Sequence, residues 1–525
     1  MFLEIETKRR MNPCAVQDDG AVLNYGELTG FVREMYDLMP ERALVFLMCK
    51  NKIGALAGYV ALMSSKDVPL MLGADIDKEL LKNLMNTYSP DYIWLPAPEG
   101  ELEKNDEEIH DQKYYSDPDN PLGMAKYQEK QPSRVGKTVE VADGFSGEII
   151  LYKYGYELVR LKSEDEIKKI TTRLTEDEIK AGKKERLHPD LALLLTTSGS
   201  TGSPKLVRQS YENVYTNAAA IGDYLELDGF ERAITTLPMS YTYGLSIINS
   251  HLLAGAEILM TDVSYAQRGF WDFFKREKAS SFAGVPYTYE MLDRMKFFRM
   301  MLPTLKTMTQ AGGRLRPDLH QKFAEFCQTQ GKRFFVMYGQ TEATARMSYL
   351  PYKRSLEKVG SIGVAIPGGA FKIIDDDGNE ITTPGESGEL VYSGENVTMG
   401  YAECLDDLSK GDERNGTLFT GDIARFDDDG YYYIVGRKSR FLKIFGNRVN
   451  LEECEKLIEN HFQVEAACTG EDDLMKVYAT GKIKEEVLLD FISGKTGLNP
   501  KAFQIKLVDA IPRSGSGKKA YGELG

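Results

Sequence analysis

The chain predicts an α/β protein in several parts, on three observations. Over residues 20–96 an amphipathic segment, YGELTGFVREMYDLM, a short apolar run, ALVFLMC, and a small-residue helical pattern, GALAGYVALMSS, follow one another, the order of βαβ units on a parallel sheet. Apolar strands alternate with helical patterns again over 191–358. Between 359 and 435 the pattern changes to short strands split by glycine-bearing turns, with Asp377-Gly378 and Asp429-Gly430 as hairpin signals. The expected architecture is a large N-terminal domain, residues 1–438, made of two α/β sheet units (about 1–190 and 191–358) and a small β-barrel or antiparallel sheet (359–435). A small α+β lobe, 439–525, follows, opening on the amphipathic helix LEECEKLIENHF.

A length of 525 residues leaves room for about three or four such units. The 79 acidic and 65 basic residues give a net charge of -14, against a protein whose main work is gripping nucleic acid or an anionic membrane. The longest apolar stretches, 43–49 and 54–63, fall short of the roughly 18 residues a membrane span needs. The start, MFLEIETKRRMNP, has no apolar run behind a basic end, so a cytoplasmic protein is expected. The six cysteines include no C-x-x-C pair, and the five histidines are never at helical or hairpin spacing, so neither a zinc cage nor a histidine relay is expected. Residues 98–141 turn polar and lose periodicity, and 162–189 carry two capping boxes, Ser163 with Glu166 and Thr175 with Glu178. Both read as solvated excursions, the second with two short helices.

The chemistry concentrates in LALLLTTSGSTGSPKLV (191–207), a buried strand running into a loop of glycines, hydroxyls and one lysine. Successive backbone N–H groups in such a loop curl into an anion cradle, and Lys205 adds charge. The kinase-type P-loop is excluded, because Pro204 precedes Lys205 and Leu206 follows it, where that motif needs Ser or Thr.

With that loop on the page, TTSGSTGSPK resembles the phosphate loop of the adenylate-forming superfamily: the AMP-dependent acyl-CoA synthetases, luciferases and peptide-synthetase adenylation domains. Four more segments resemble that family's motifs in its order: YGQTEA (338–343), TGDIARFDDDGYYYIVGR (420–437), GRKSRFLKIFGNRVNLEECE (436–455) and PRSGSGKK (512–519). Weaker echoes, LNYGEL (23–28) and LPMSYTYGL (237–245), extend the likeness over nearly the whole chain. The resemblance implies the adenylate-forming fold, an AMP-binding N-terminal domain over 1–438 and a mobile C-terminal lid over 439–525.

It also implies roles for single residues. Thr197, Ser198, Gly199, Ser200, Thr201, Gly202 and Lys205 would hold the phosphates of ATP. Thr341 would touch the α-phosphate and Glu342 would hold Mg²⁺, while Gly312, Gly313, Tyr338 and Gly339 would sandwich the adenine, with Gln340 also among the cofactor-binding residues. Asp422 would accept hydrogen bonds from both ribose hydroxyls with Arg437 nearby, and Lys518 would bridge the reacting carboxylate and the α-phosphate. These types suit the reaction, since two anions meet and cations must offset their repulsion. A carboxylate is already a deprotonated nucleophile, so no general base is needed. Each residue also has a plainer reading: Asp422 as a turn-capping aspartate, Glu342 as an acid at a helix N-terminus, Lys518 as a solvated tail lysine.

Three positions depart from the family pattern. Leu206 replaces the usual glycine after the loop lysine, Ser439 falls where the hinge residue is commonly Asp or Lys, and Tyr241 stands at a frequent histidine, to wall the carboxylate pocket or to pack in the core. Amino-acid-activating relatives place an aspartate early in this segment, but residues 239–250 contain no acid and the aligned position is Thr242. A buried ammonium without a counter-charge is costly, so an uncharged acyl or aryl acid is expected as the small-molecule partner. Met239, Trp271, Phe273, Phe274 and Met308 fit an apolar acid or an ordinary core. For the second step, the resemblance implies coenzyme A or phosphopantetheine as thiol, with Lys443 and Arg448 at the face that receives it or merely on the surface. The expected activity is an AMP-forming acid:thiol ligase of the acyl-CoA synthetase type. Its rivals are an acyl-adenylating loader of a separate carrier protein and a catalytically silent nucleotide or acyl-AMP binding module.

Overall fold

The computed structural model describes residues 1–39, 41–98, 134–161, 186–196, 205–444, 447–471, 473–513 and 519–524. Two compact units emerge, Met1–Phe282 with Thr398–Asn415, and Ala283–Val397 with Gly416–Gly525.

The first unit is built around the strand Leu44–Cys49, all six residues of which are buried. It lies parallel to Val68–Gly73 on one side and Tyr92–Pro96 on the other, as a near-continuous apolar run demands. The helix Ile53–Ser65 is apolar on every side because it is covered on every side. Its small residues are obligatory: a Cβ on Gly58 would stand 2.2 Å from Trp94 Nε1, and that same Nε1 donates to the Gly54 carbonyl at 2.8 Å. Asn24 caps the helix Tyr25–Leu38 through a capping box with Glu27.

Sheet membership does not follow the divide expected near residue 190. The strand Leu191–Thr196 runs parallel to Val68–Gly73, since five apolar residues in a row can be buried on both faces only inside that sheet. Leu206–Ser210 pairs antiparallel with Leu191–Thr196 and on its other edge with Gly400–Ala402. Conversely, Pro13–Gln17 belongs to a second sheet, parallel to Glu257–Met260. The excursion expected over 98–141 also ends early. Thr138–Ala142, Phe145–Lys153 and Tyr156–Arg160 form an antiparallel meander on the edge of the first sheet, with turns at Gly144 and Gly155 in positive φ. The Asp143-Gly144 pair was its hairpin signal. The capping boxes at Ser163 and Thr175 lie outside the described residues.

In the second unit, Thr307–Gln310 and Arg333–Tyr338 are parallel strands joined through the helix Pro317–Thr329. The expected barrel is a four-stranded antiparallel sheet of linear order, Ala370–Ile374, Gly388–Ser393, Thr417–Phe426, Tyr432–Arg437, with turns at both Asp-Gly pairs. Among the described residues no pairing joins its first strand to its last. The last part has the expected α+β make-up: Ala466–Glu471, Leu474–Ala479 and Phe503–Leu507 form a sheet, and the helices Leu451–Phe462 and Glu485–Thr496 close a core of Ile444, Ile458, Met475, Val477 and Ile492.

Candidate active site

The site begins where two neighbouring parallel strands end, the customary place for a ligand on an open α/β sheet. After Thr307–Gln310 comes a turn with Gly312 at φ +81, held from inside by Gln310, whose Nε2 donates to the Gly313 carbonyl at 2.9 Å. After Arg333–Tyr338 comes Gly339, where a Cβ would sit 1.7 Å from the Ala345 carbonyl oxygen. Glycine there is a packing requirement of this backbone. Gln340 leads into a single 3-10 turn, Thr341–Ala343, with Thr341 and Glu342 half-buried. No α-helix follows, and the next element is the strand Ser348–Leu350. Glu342 is therefore not an acid at the N-terminus of an α-helix.

Asp422 lies inside the strand Thr417–Phe426, which removes the turn-capping reading. The register with the neighbouring strand jumps from Glu389–Ile423 to Val391–Phe419, so Thr420, Gly421 and Asp422 bulge opposite Leu390. Gly421 takes φ +69, and the Thr420 hydroxyl both donates to the Leu390 carbonyl at 2.7 Å and accepts from the Asp422 amide at 3.1 Å. The bulge re-aims a carboxylate that is almost fully buried. Three side chains converge on it. Arg437, its register partner on Tyr432–Arg437, places Nε 2.8 Å from Oδ1. The Tyr338 phenol donates to Oδ2, and Gln340 Nε2 donates to the same oxygen at 2.9 Å and to the Thr420 carbonyl at 3.0 Å.

Burial, and then the neighbouring Asp422 charge, push the Tyr338 phenol well above the ordinary tyrosine range, so it stays a donor. Burial works against the charge of Arg437, but Asp422 outweighs it and the guanidinium is held on more firmly than usual. The carboxylate has about four acceptor sites and three donors now on it. A ligand presenting two adjacent hydroxyls would take the remaining site and compete with the neutral phenol or amide.

The phosphate-loop residues Thr197, Ser198, Gly199, Ser200, Thr201 and Gly202 lie outside the described residues, but their frame does not. Leu206 is the register partner of Thr196, so both ends of the loop are tied at one ladder rung. Leu206, where the family usually has glycine, is fully buried between two strands and serves packing. Lys205 rests with Nζ 3.8 Å from the centre of the Tyr401 ring and 3.4 Å from Glu403. An ion pair this exposed is worth little, so phosphate oxygens can claim the lysine cheaply.

Tyr241 and Thr242 start the helix Thr242–Leu253. Tyr241 is half-buried, its phenol pushed up to about 12 by burial, and its ring lies edge-on to Tyr243 at 6.5 Å. The wider aromatic and methionine supply is core: Met239, Phe273, Phe274 and Met308 are at most 2% exposed, and Trp271 stacks on Phe282 at 5.9 Å. Lys443 and Arg448 are register partners on the hairpin strands Phe441–Ile444 and Asn447–Asn450. Ser439 sits in the 3-10 turn Lys438–Arg440. Lys518 lies outside the described residues, and Arg513 and Lys519 on either side of its loop form a β-bridge.

Among the described residues no group of three or more His, Cys, Asp or Glu side chains could cage a metal ion. Magnesium binds through one or two carboxylates together with substrate phosphates and water. Glu342, a half-buried carboxylate in the 3-10 turn Thr341–Ala343, fits that manner of binding. Sequence reasoning missed Asn396, which contacts the 343–346 backbone, and Glu455, which gathers Arg440 and Lys519. No local pattern marks Asn396, and Glu455 ends the segment 436–455 without being singled out in it.

Residues 11–402 match the family described as AMP-binding enzyme. A 2-succinylbenzoate–CoA ligase of Bacillus licheniformis is 30% identical over 346 residues, 64% of this chain and 70% of that protein. A long-chain-fatty-acid–CoA ligase of Escherichia coli O157:H7 is 30% identical over 364 residues, 65% of this chain and 62% of that protein. Among solved structures, O-succinylbenzoate coenzyme A synthetase (MenE) from Bacillus subtilis in complex with AMP superposes with a TM-score of 0.69 at 20% identity, covering 99% of this chain and 96% of that one. ATP-bound MatB from Rhodopseudomonas palustris gives 0.69 at 20% identity, covering 100% and 98%. At this identity the two structures speak to the fold, which is theirs.

Proposed function

Because the chain belongs to the AMP-binding enzyme family, we propose that it is an ATP-dependent, AMP-forming acid:thiol ligase of the acyl-CoA synthetase type. A carboxylate oxygen attacks the α-phosphorus of ATP, the bond to pyrophosphate breaks, and a thiolate then attacks the acyl carbonyl and expels AMP. The observation that carries this reading is the buried Asp422 carboxylate, with Arg437, Tyr338 and Gln340 around it, in the same unit as the Thr341–Ala343 turn. A diol acceptor and a metal-competent carboxylate are together what a nucleotide triphosphate requires.

In this reading Asp422 takes the ribose hydroxyls and Arg437 holds its charge in place. Gly312, Gly313, Tyr338 and Gly339 leave room for the adenine, Thr341 donates to the α-phosphate, and Glu342 holds Mg²⁺. When bound, the metal neutralises charge on the phosphates. Residues 198–202 and Lys205 hold the phosphates, and Lys518 bridges the reacting carboxylate and the α-phosphate. The lobe's later face, with Lys443 and Arg448, receives the thiol, coenzyme A in preference to a carrier protein because the relatives above are named as CoA ligases. The acid carries no ammonium, since residues 239–250 hold no acidic side chain, and neither do the acids in those relatives' names. Among the described residues no helix is long and apolar enough to cross a membrane, and all six cysteines are unpaired thiols, in line with work in the cytoplasm.

Pyrophosphate exchange across a panel of aryl, short-chain and long-chain acids, followed by trapping with coenzyme A or holo-carrier protein, tests the proposal. Exchange with at least one acid and a thioester on coenzyme A are expected. A thioester on the carrier alone would favour the loader, and nucleotide binding without exchange would favour the silent module.

A further inference from the structure

The turn bearing Thr341 and Glu342 is held in a shape that its own sequence does not favour. Thr344 has φ +64 and ψ −58, and the Ala345 amide donates to the Ala343 carbonyl at 2.7 Å. This is a γ-turn of the rare hand, centred on a β-branched residue that ordinarily avoids positive φ. The reversal lets the Met347 amide reach the Tyr338 carbonyl at 2.9 Å, so residues 339–346 form a closed loop.

A side chain from another segment holds the 343–346 end of that loop. Asn396 is 3% exposed, and its Nδ2 donates to the Ala343 carbonyl at 2.9 Å and to the Arg346 carbonyl at 3.2 Å. Its backbone carbonyl accepts from the Thr344 hydroxyl at 2.7 Å, and its Oδ1 accepts from the phenol of Tyr392, itself fully buried, at 2.8 Å. Every polar atom of the Asn396 side chain is thus spent on fixing the turn or on being fixed. Strain of this kind persists only where the surroundings over-determine it, and it gathers where geometry matters to mechanism.

We propose that Asn396 is a positioning residue for Thr341 and Glu342, setting where the α-phosphate donor and the magnesium carboxylate stand. The proposal rests on the roles given to those two residues above. Asn396 acts through the backbone carbonyls of Ala343 and Arg346 and, by its own carbonyl, through the Thr344 hydroxyl.

Three readouts on the full chain test it: ATP–pyrophosphate exchange against Mg²⁺ concentration, calorimetric binding of a non-hydrolysable ATP analogue with Mn²⁺, and metal-free adenosine binding. Asn396→Ala should lower exchange by about 10²-fold, the scale of an ångström's misplacement, and raise the Mg²⁺ needed for half-maximal exchange. It should weaken the Mn²⁺-dependent binding and leave the affinity for adenosine, whose ribose belongs to Asp422 and which has no α-phosphate for Thr341, unchanged. Tyr392→Phe, which frees Oδ1 and removes one oxygen only, should move the same quantities in the same direction by less, and it decides the matter if Asn396→Ala does not fold. Folded variants with wild-type Mg²⁺ and Mn²⁺ dependence would overturn the proposal, as would exchange that falls only in proportion to folded protein. A Mg²⁺ requirement unmoved by Glu342→Gln would instead overturn the reading beneath it.

Discussion

Asp422 and Arg437 stand opposite each other on neighbouring antiparallel strands, and Arg437 Nε lies 2.8 Å from Asp422 Oδ1. The arginine fills one side of the carboxylate, while the other side holds only neutral donors, Tyr338 and Gln340. A ribose therefore displaces a phenol or an amide and leaves the ion pair intact. Asp422→Asn turns one acceptor into a donor and should weaken AMP binding about 10- to 100-fold, the weight of a hydrogen bond to a charged group. Titration calorimetry with AMP reads this directly, and unchanged affinity would move the ribose elsewhere.

Two buried groups give stability opposing dependences on pH. Burial raises Asp67 from 3.8 to about 7, so its contribution is complete below pH 3.8 and is lost as pH rises to 7. Burial lowers His320 from 6.5 to about 4, so its contribution is complete above pH 6.5 and is lost as pH falls to 4. From pH 5 to 6.5 the two nearly cancel. Asp67→Asn should make stability rise over that span by about 2 kcal/mol more than in the wild type, and His320→Gln should make it fall by a similar amount. Urea titrations at the two pH values check the signs, and parallel profiles in all three proteins would contradict both shifts.

Glu455 is 4% exposed and accepts from Lys519 at 3.2 Å, from the Tyr521 phenol at 3.0 Å and from the Cys468 amide at 2.7 Å, besides pairing with Arg440. Burial opposes the charge of Lys519, yet Glu455 and Glu459 outweigh it and raise its pKa. Glu455→Gln takes the carboxylate from Arg440 and leaves Lys519 to Glu459 alone, and should cost about 3 kcal/mol. The loss should appear as faster hydrogen exchange in Ala466–Glu471. Exchange there equal to the wild type would mean that the network adds nothing.

Two glycines should respond oppositely to alanine. A Cβ on Gly222, in the helix Tyr211–Leu225, meets nothing within 4 Å, so Gly222→Ala should stabilise by about 0.5–1 kcal/mol. Gly339→Ala drives a methyl into the Ala345 carbonyl and should destabilise by about 1–3 kcal/mol or more, with nucleotide binding lost. Thermal unfolding of the pair suffices, and equal shifts would show that the 339–346 loop yields easily.

What the sequence makes legible is local. LVFLMC announces a strand buried on both faces, and the Asp-Gly pairs announce their hairpins, because period and turn chemistry are written in consecutive residues. The residues around Asp422 are recognisable as a motif, but the bulge that aims the carboxylate is not, since it arises from register with Glu389 and Val391. The placement of Leu191–Thr196 beside Val68–Gly73 is likewise invisible, a pairing across more than a hundred residues. Asn396 lies in GENVTMG, which has no distinctive pattern; its importance comes from contacts with backbone atoms some fifty positions away. The terminal lysine shows the converse: legible as a motif, with only its flanking partners Arg513 and Lys519 described.

The central claim is that a terminal ammonium allows two anions to join on one phosphorus. The most direct measurement is ATP–pyrophosphate exchange by Lys518→Ala, with the best acid from the panel and with folding checked by circular dichroism. A fall of about 10²-fold or more in a folded protein that still binds AMP is the predicted result, the scale of removing one charge-stabilising donor. Exchange at the wild-type rate would contradict it.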